Sequence, residues 1–147
     1  MAPITSSIEI GRPPEEVFAY LDELERHGEW QGQIISSKLE PEGPTGVGTR
    51  ATDTRKVPGG TQNVTYEVTE HDPPRKTSFR GTNGPVRPLG SVTVEPVGEG
   101  RSRVTVELDL KGHGLVGPLV AMLARSQARK QLPQDQQRLK ERLEAGV

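Results

Sequence analysis

Alternation of apolar and polar residues is the dominant pattern along the middle of the chain. In the segment 103–111 every even-numbered position is Val or Leu, and every odd-numbered position is polar or charged. A period of two puts these classes on opposite faces of a β-strand, and one dry face with one wet face is typical of an antiparallel sheet. The same pattern predicts six further strands, at residues 4–10, 34–40, 49–56, 62–70, 76–81 and 89–95.

The period becomes helical in two places. A proline pair at 13–14 suits the first turn of a helix, and the apolar spacing that follows predicts a helical segment near residues 14–27. A second, longer helix is predicted from about Gly114 to the end of the chain. Pro133 lies inside it and lacks an N–H group, so we predict that it bends this helix or splits it near Gln131.

The order of these elements indicates an α+β domain, in which successive hairpins form one sheet and the terminal helix covers it. A length of 147 residues suits one domain, which we place at residues 1–147. The stretch from Gly81 to Gly90 is longer than a hairpin needs. It is predicted to be a loop that acts either as a flexible lid or as slack.

Charge and composition exclude several broad classes of function. The chain has 19 Lys and Arg against 20 Asp and Glu, and this balance gives no long-range attraction to DNA, RNA or an anionic membrane. No stretch is apolar enough to span a bilayer, and the first residues do not form a secretory signal. We expect a cytoplasmic protein without membrane insertion, acting as a monomer or a weak homodimer.

Metal and thiol chemistry are not indicated either. The chain has no cysteine, which removes disulfides, zinc–thiolate sites and cysteine nucleophiles together. The three histidines, His27, His71 and His113, are scattered, and no pair has the spacing of metal ligands. We therefore expect neither a metal nor a cofactor.

Tyr66 is the candidate for polar chemistry on the dry face of the predicted sheet. Its hydroxyl can donate to a ligand carbonyl or take part in acid–base catalysis, because a buried phenol needs a partner. The alternative, which is favoured, is a core tyrosine that reaches the backbone or water.

Asp53 and Arg55 share one face of the strand predicted at 49–56, but the sequence does not decide which face points inward. If the face that carries Asp53 and Arg55 points inward, the two charges enter the interior and can hold a polar ligand group or act as acid and base. If the opposite face points inward, the two charges lie in solvent at an edge. Solvation is the usual fate of such charges and is the favoured interpretation.

The long helix has an apolar side that includes Leu119, Met122 and Leu123. This side can pack in the core or lie on a membrane surface. The polar side mixes basic residues with glutamines and Asp135, as an ordinary solvated face does, so core packing is favoured.

Several segments give the chain a resemblance to a known family. They are Ile8-Glu9-Ile10, Pro13 to Asp22, Trp30, Gly46-Val47-Gly48-Thr49-Arg50, Tyr66 to Pro74 and Leu139 to Glu144. With them the whole chain resembles the START-like (SRPBCC) superfamily, in its bacterial branch of polyketide cyclases/dehydrases and lipid-transport proteins. The resemblance implies a helix-grip fold, in which a curved seven-stranded antiparallel sheet wraps around a long C-terminal helix.

The resemblance also implies a pocket between the sheet and the C-terminal helix. With the inward positions taken from alternation, its predicted lining is Trp30, Tyr66, Val68, Phe79, Val92, Val94, Val106, Leu108, Leu119, Met122 and Leu123. Members of the superfamily include both carriers and enzymes, so the fold does not settle the function.

Three functions therefore stay open. The chain binds or carries a small hydrophobic or aromatic molecule, or it is a cyclase or dehydratase that uses Tyr66 with Asp53 or Arg55, or it is a protein-interaction module. The carrier is favoured, because few titratable side chains are predicted to face inward.

Overall fold

The computed structural model describes residues 3–147 and contains seven strands and two α-helices within that range. The elements are β1 Ile4–Ile10, α1 Pro14–Leu21, a 3-10 helix Leu24–Glu29, β2 Ile34–Glu40, β3 Arg50–Val57, β4 Gly60–Asp72, β5 Lys76–Gly81, β6 Val86–Pro96, β7 Ser102–Gly112 and α2 Gly117–Glu144. The α+β helix-grip architecture predicted from the sequence is confirmed. No helix in the described range is long and apolar enough to cross a bilayer.

All seven strands belong to one antiparallel sheet with the order β1-β7-β6-β5-β4-β3-β2. Strands β2 to β7 form a meander in which each strand pairs with the next along the chain. Strand β1 joins the far side of β7, where Ile8 lies opposite Val104. Because opposed residues share a face, this register defines an inner face of the sheet, toward the helices.

The apolar core lies in two groups on this inner face. The larger group joins α1, the sheet and the C-terminal half of α2 and contains Ile10, Val17, Phe18, Tyr20, Leu21, Trp30, Val94, Val104, Leu139 and Leu143. The smaller group lies under the 3-10 helix and contains Leu24, Leu39, Ala51, Tyr66 and Val68. The N-terminal half of α2 contributes to neither group.

Pro133 does not divide the long helix, so the predicted split near Gln131 is wrong. Helix α2 continues through it as one element of 28 residues. Strand β1 contacts the helical turn after Pro133. The Gln136 side-chain amide donates to the Ser6 carbonyl at 3.0 Å and accepts from the Ser6 hydroxyl at 2.6 Å. These bonds anchor the turn that follows the proline to β1.

The long loop predicted from Gly81 to Gly90 is also wrong. Strand β6 begins at Val86, so only residues 82–85 connect it to β5. The reason is pairing with β7, since the register runs on to Val86 opposite Gly112, beyond the end of β5.

Candidate functional site

Strand β3 turns its odd-numbered side chains toward the inner face of the sheet. Ala51 is buried opposite Tyr66, and Asp53 is only 4% exposed and lies opposite Ser37. The favoured expectation of solvated charges at an edge is wrong for Asp53. Strand β3 is not an edge strand, because β2 pairs along its other side.

The Asp53 carboxylate has two polar neighbours in this buried position. The Ser37 hydroxyl donates to Oδ1 at 2.7 Å, and Nη1 of the half-buried Arg55 lies 3.8 Å from Oδ2. Burial raises the pKa of Asp53, while the hydrogen bond from Ser37 and the positive charge of Arg55 oppose the rise. A carboxyl group of this kind is a better proton donor near neutral pH than an exposed one.

His27 lies beside this carboxylate at the end of the 3-10 helix. Its Nε2 contacts the Leu21 carbonyl at 2.8 Å; a carbonyl only accepts, so Nε2 carries the proton. The ring meets the Trp30 indole edge-on, with centroids 5.1 Å apart. Burial lowers the pKa of His27, against the charge of Asp53, so the neutral imidazole is favoured.

Tyr66 is buried in the centre of the sheet, 8% exposed, with its ring against Phe79 at 5.6 Å. Its hydroxyl has no hydrogen-bond partner among residues 3–147. Burial raises the pKa of Tyr66, and the negative charge of Asp53 adds to the rise. The group is therefore a neutral donor, and no backbone acceptor of the kind expected for a core tyrosine reaches it within that range.

Trp30 presents a second buried donor of the same kind. It is 7% exposed, at the end of the 3-10 helix, and its indole N–H has no acceptor in the described part of the chain. Buried polar groups in native proteins nearly always have a partner, so each of these two donors needs an explanation, such as a ligand or an ordered water.

Asp135 completes the polar surroundings from the side of the helix. It was assigned to a solvated face, and that is wrong, because it is 5% exposed. Its Oδ1 accepts from the Gln131 amide at 2.9 Å and from the Gly32 N–H at 3.2 Å, which ties α2 to the turn after Trp30. Burial raises the pKa of Asp135, and the charge of Arg55 opposes the rise.

We call His27, Asp53, Arg55, Tyr66 and Asp135 the inner polar cluster, since their charges act on one another. Sequence reasoning proposed three of them and missed His27 and Asp135. The available signal was the position of Asp135 on the helix, four residues before the core residue Leu139 and therefore on the same side. Within residues 3–147 no group of three or more His, Asp or Glu side chains could hold a metal ion.

The residues predicted to line a pocket fall into three groups. Trp30, Tyr66, Val68 and Val94 are buried; Phe79, Val92, Val106 and Leu108 are partly exposed; Leu119, Met122 and Leu123 are 60%, 58% and 65% exposed. The sheet positions share the inner face, as alternation predicted. The three helix positions do not face the sheet, and that part of the prediction is wrong.

The burial of Arg125, which pairs with the partly exposed Asp109, explains the orientation of the helix. Arg125, 4% exposed, donates from its guanidinium to Asp109 on β7, and Ala121 one turn earlier is also buried. These positions take the side of α2 that faces the sheet. Since Leu119 and Leu123 lie on the opposite side, they are left in solvent.

Two shallow surface depressions lie elsewhere on the molecule. One is formed by the last turn of α2 and the residues that follow, and the other lies between β1 and the middle of α2. None of the predicted pocket residues lines either of them. The pocket under the helix therefore stays a prediction.

Comparison with known proteins agrees with this geometry. Residues 1–144 match the family described as "Polyketide cyclase / dehydrase and lipid transport". The chain belongs to this family. One relative is an uncharacterized protein of Mycobacterium tuberculosis strain H37Rv. The two sequences are 28% identical over 127 residues, which cover 86% of this chain and 88% of the relative.

This member of the polyketide cyclase/dehydrase and lipid-transport family shares the START-like fold with solved structures. A START superfamily protein from Mycobacterium smegmatis has a TM-score of 0.77 at 15% identity and covers 100% of both chains. The Zhui aromatase/cyclase from Streptomyces sp. R1128 has a TM-score of 0.80 at 13% identity and covers 97% of this chain and 93% of its own. The family match confirms the suspected polyketide cyclase/dehydrase and lipid-transport branch, and the solved structures, at identities this low, show the fold alone.

Proposed function

We propose that the chain binds a small hydrophobic or aromatic molecule on the inner face of the sheet, and that this molecule presents an acceptor oxygen to Tyr66. The observation that carries the proposal is the buried Tyr66 hydroxyl without an acceptor among residues 3–147. Leaving such a donor unpaired costs about 1–3 kcal/mol. A carbonyl or ether oxygen of a ligand would remove that cost.

The surroundings of Tyr66 support an apolar ligand with one polar end. Val68 and Phe79 neighbour it on the inner face, and Val92 and Leu108 extend the same apolar surface across β6 and β7. Several of these side chains are partly exposed, so a molecule can reach them without unfolding the sheet. Asp53 and Arg55 lie at the polar end.

Family membership supports the same ligand class. The family description names polyketide chemistry and lipid transport, and both imply long, largely apolar molecules that carry oxygen. One structural neighbour is an aromatase/cyclase by its own description. These likenesses favour the class of molecule and leave its identity to experiment.

Binding can be tested with Prodan, a dye whose aromatic ketone offers one acceptor and whose emission shifts on burial. We expect saturable binding to the wild-type protein. Leu108→Trp should block it, because the indole fills the inner face. Leu89→Trp is the matched control, since Leu89 lies on β6 next to inner-face Gly90 but points the other way, 45% exposed and opposite Arg80. Equal binding by both variants, or none by the wild type, would contradict the proposal.

A catalytic role is the second candidate, and the raised pKa of Asp53 is the observation that favours it. A protonated Asp53 or the Tyr66 hydroxyl can donate to a polyketide carbonyl, and Arg55 can stabilise the oxyanion that develops. The reaction would be an intramolecular aldol condensation, which forms a carbon–carbon bond and releases water.

Product analysis separates the enzyme from the carrier. A synthetic poly-β-ketone would be incubated with the protein, and its cyclised products compared with those of spontaneous cyclisation. An enzyme should change the product ratio and lose that effect in both Tyr66→Phe and Asp53→Asn. A carrier should leave the ratio of products unchanged in every variant while still binding Prodan.

A further inference from the structure

The outer side of the first turns of α2 exposes a group of large aliphatic side chains. Leu115 is 104% exposed, Val116 61%, Leu119 60%, Met122 58% and Leu123 65%. We call these five residues the apolar tip. A cluster of exposed aliphatic side chains on one element of a small domain marks an interaction surface.

Backbone packing fixes the tip in this outward position. Gly112 and Gly117 touch where β7 passes into α2: a Cβ on Gly112 would lie 2.5 Å from the Gly117 carbonyl carbon. The His113 N–H also donates to the Pro85 carbonyl at 2.8 Å. With Arg125 buried on the opposite side of α2, the helix cannot turn the tip inward without breaking these contacts.

Basic residues accompany the tip, and acidic residues do not. From residue 110 to residue 134 the sequence contains no Asp or Glu, although the chain as a whole has a net charge of −1. Arg129 and Lys130 are exposed in this stretch, and Lys111 is exposed too but pairs with Asp109 at 3.5 Å. Helical spacing puts Arg129 and Lys130 two turns after Met122 and Leu123 on the same side of α2.

We propose that the apolar tip and these basic residues dock the protein on the surface of an anionic lipid membrane. Aliphatic side chains would enter the boundary between head groups and acyl chains, and the cations would lie at the level of the lipid phosphates. Global charge predicted no attraction to such a membrane. Salt screens electrostatic attraction beyond about 8 Å. The cations next to the membrane therefore determine whether the protein is attracted to it, and the net charge of the whole chain does not.

Other occupants fit these features less well. A second copy of the chain would bring the same exposed cations, Arg129 and Lys130, and residues 110–134 of the partner contain no carboxylate that could pair with them across a symmetric contact. A protein partner is usually met by aromatic residues with few lysines, whereas the tip has no aromatic residue and Lys130 lies beside it.

Sedimentation with lipid vesicles tests the proposal without knowledge of any internal ligand. We expect the wild-type protein to sediment with vesicles of phosphatidylcholine and phosphatidylglycerol in equal parts, and to bind pure phosphatidylcholine far less. Raising the salt concentration should weaken binding to the anionic vesicles. The double variant Leu119→Ser, Leu123→Ser should bind at least about tenfold more weakly, since two aliphatic side chains no longer enter the lipid.

Two further variants make the result specific. Arg129→Glu with Lys130→Glu should weaken binding to anionic vesicles by about tenfold or more. Ile35→Ser is the matched control, because Ile35 is a similarly exposed aliphatic residue, 52%, on the distant strand β2, and its loss should leave binding unchanged. Far-UV circular dichroism checks that each variant keeps the fold.

Several outcomes would overturn the proposal. It fails if the wild-type protein does not sediment with anionic vesicles, or if the Leu119, Leu123 double variant binds them as the wild type does. It also fails if light scattering finds a dimer that this double variant converts to a monomer while neither protein binds vesicles. In that last case the tip is a contact between two copies of the chain.

Discussion

The two tyrosines of the chain provide a matched pair for testing the free hydroxyl at the candidate site. Both are buried, Tyr20 at 5% exposure and Tyr66 at 8%. The Tyr20 hydroxyl donates to Glu29 at 2.8 Å and accepts from Arg142 at 3.1 Å. The Tyr66 hydroxyl has no partner within residues 3–147. Replacing each by Phe removes one oxygen and nothing else.

The two substitutions should change stability in opposite directions. Tyr66→Phe removes an unpaired buried donor, so we expect the free energy of unfolding to rise by about 1 kcal/mol. Tyr20→Phe removes two bonds to charged groups that are partly exposed and can be solvated again, so we expect a loss of about 1 kcal/mol. For a domain of this size each change corresponds to roughly 3–4 °C in Tm.

Urea unfolding followed by fluorescence of the single tryptophan, Trp30, measures both changes. The slope of unfolding free energy against urea should stay constant, so that a shifted midpoint reports stability alone. In Prodan titrations Tyr66→Phe should weaken binding by about 2- to 12-fold, the equivalent of one hydrogen bond. A variant that is more stable but binds less well is the signature of a hydroxyl reserved for a ligand.

The reasoning is refuted if Tyr66→Phe destabilises the protein as much as Tyr20→Phe does. The hydroxyl would then have a partner in solution, and its value as evidence for a ligand would be lost.

Three further predictions concern single positions in the fold. Pro133→Ala restores an N–H inside α2 and should raise the unfolding free energy by about 1–2 kcal/mol in thermal melts; an unchanged Tm would mean that the helix already compensates for the proline. Gly90→Ala puts a Cβ 2.7 Å from the Glu107 carbonyl oxygen and should cost about 1–3 kcal/mol, whereas Gly46→Ala, with nothing within 4 Å, should cost far less. Because burial raises the pKa of Asp53 above its ordinary 3.8, the folded state holds this proton more tightly, and stability should fall as pH rises from 3.8 through the raised pKa. The urea midpoint would be measured against pH for the wild type and for Asp53→Asn, both of which keep His27. The variant should lack the fall in midpoint above pH 3.8, and identical curves for the two proteins would contradict the burial of Asp53.

Sequence periodicity predicted the strands well because alternation is a local property of the chain. It could not say which face of β3 points inward, since Asp53 and Arg55 on one side and threonines on the other are both polar. The decision comes from partners distant in sequence. Ser37 on β2 lies opposite Asp53, and Tyr66 on β4 lies opposite Ala51.

The long helix shows where periodicity misleads. Its first turns have an apolar stripe, and a stripe normally faces the core. Here Arg125 takes the inner side because its guanidinium pairs with Asp109 on β7, and that pairing cannot be seen from the spacing of apolar residues. Asp135 was misassigned for the same reason, because its partner is the Gly32 N–H on a distant turn.

The position of β1 in the sheet imposes an order on folding. Strands β2 to β7 meet through neighbouring hairpins, whereas β1 pairs with β7 across most of the chain; the Ser102 hydroxyl, for example, donates to the Arg12 carbonyl 90 positions away. Closing a loop of that length costs about 2 kcal/mol more entropy than closing a ten-residue hairpin. The meander can therefore assemble first, and the arrival of β1 completes the floor on which the C-terminal half of α2 rests. The N-terminal strand is synthesised first, yet it pairs last, with a part of the chain that the ribosome makes much later.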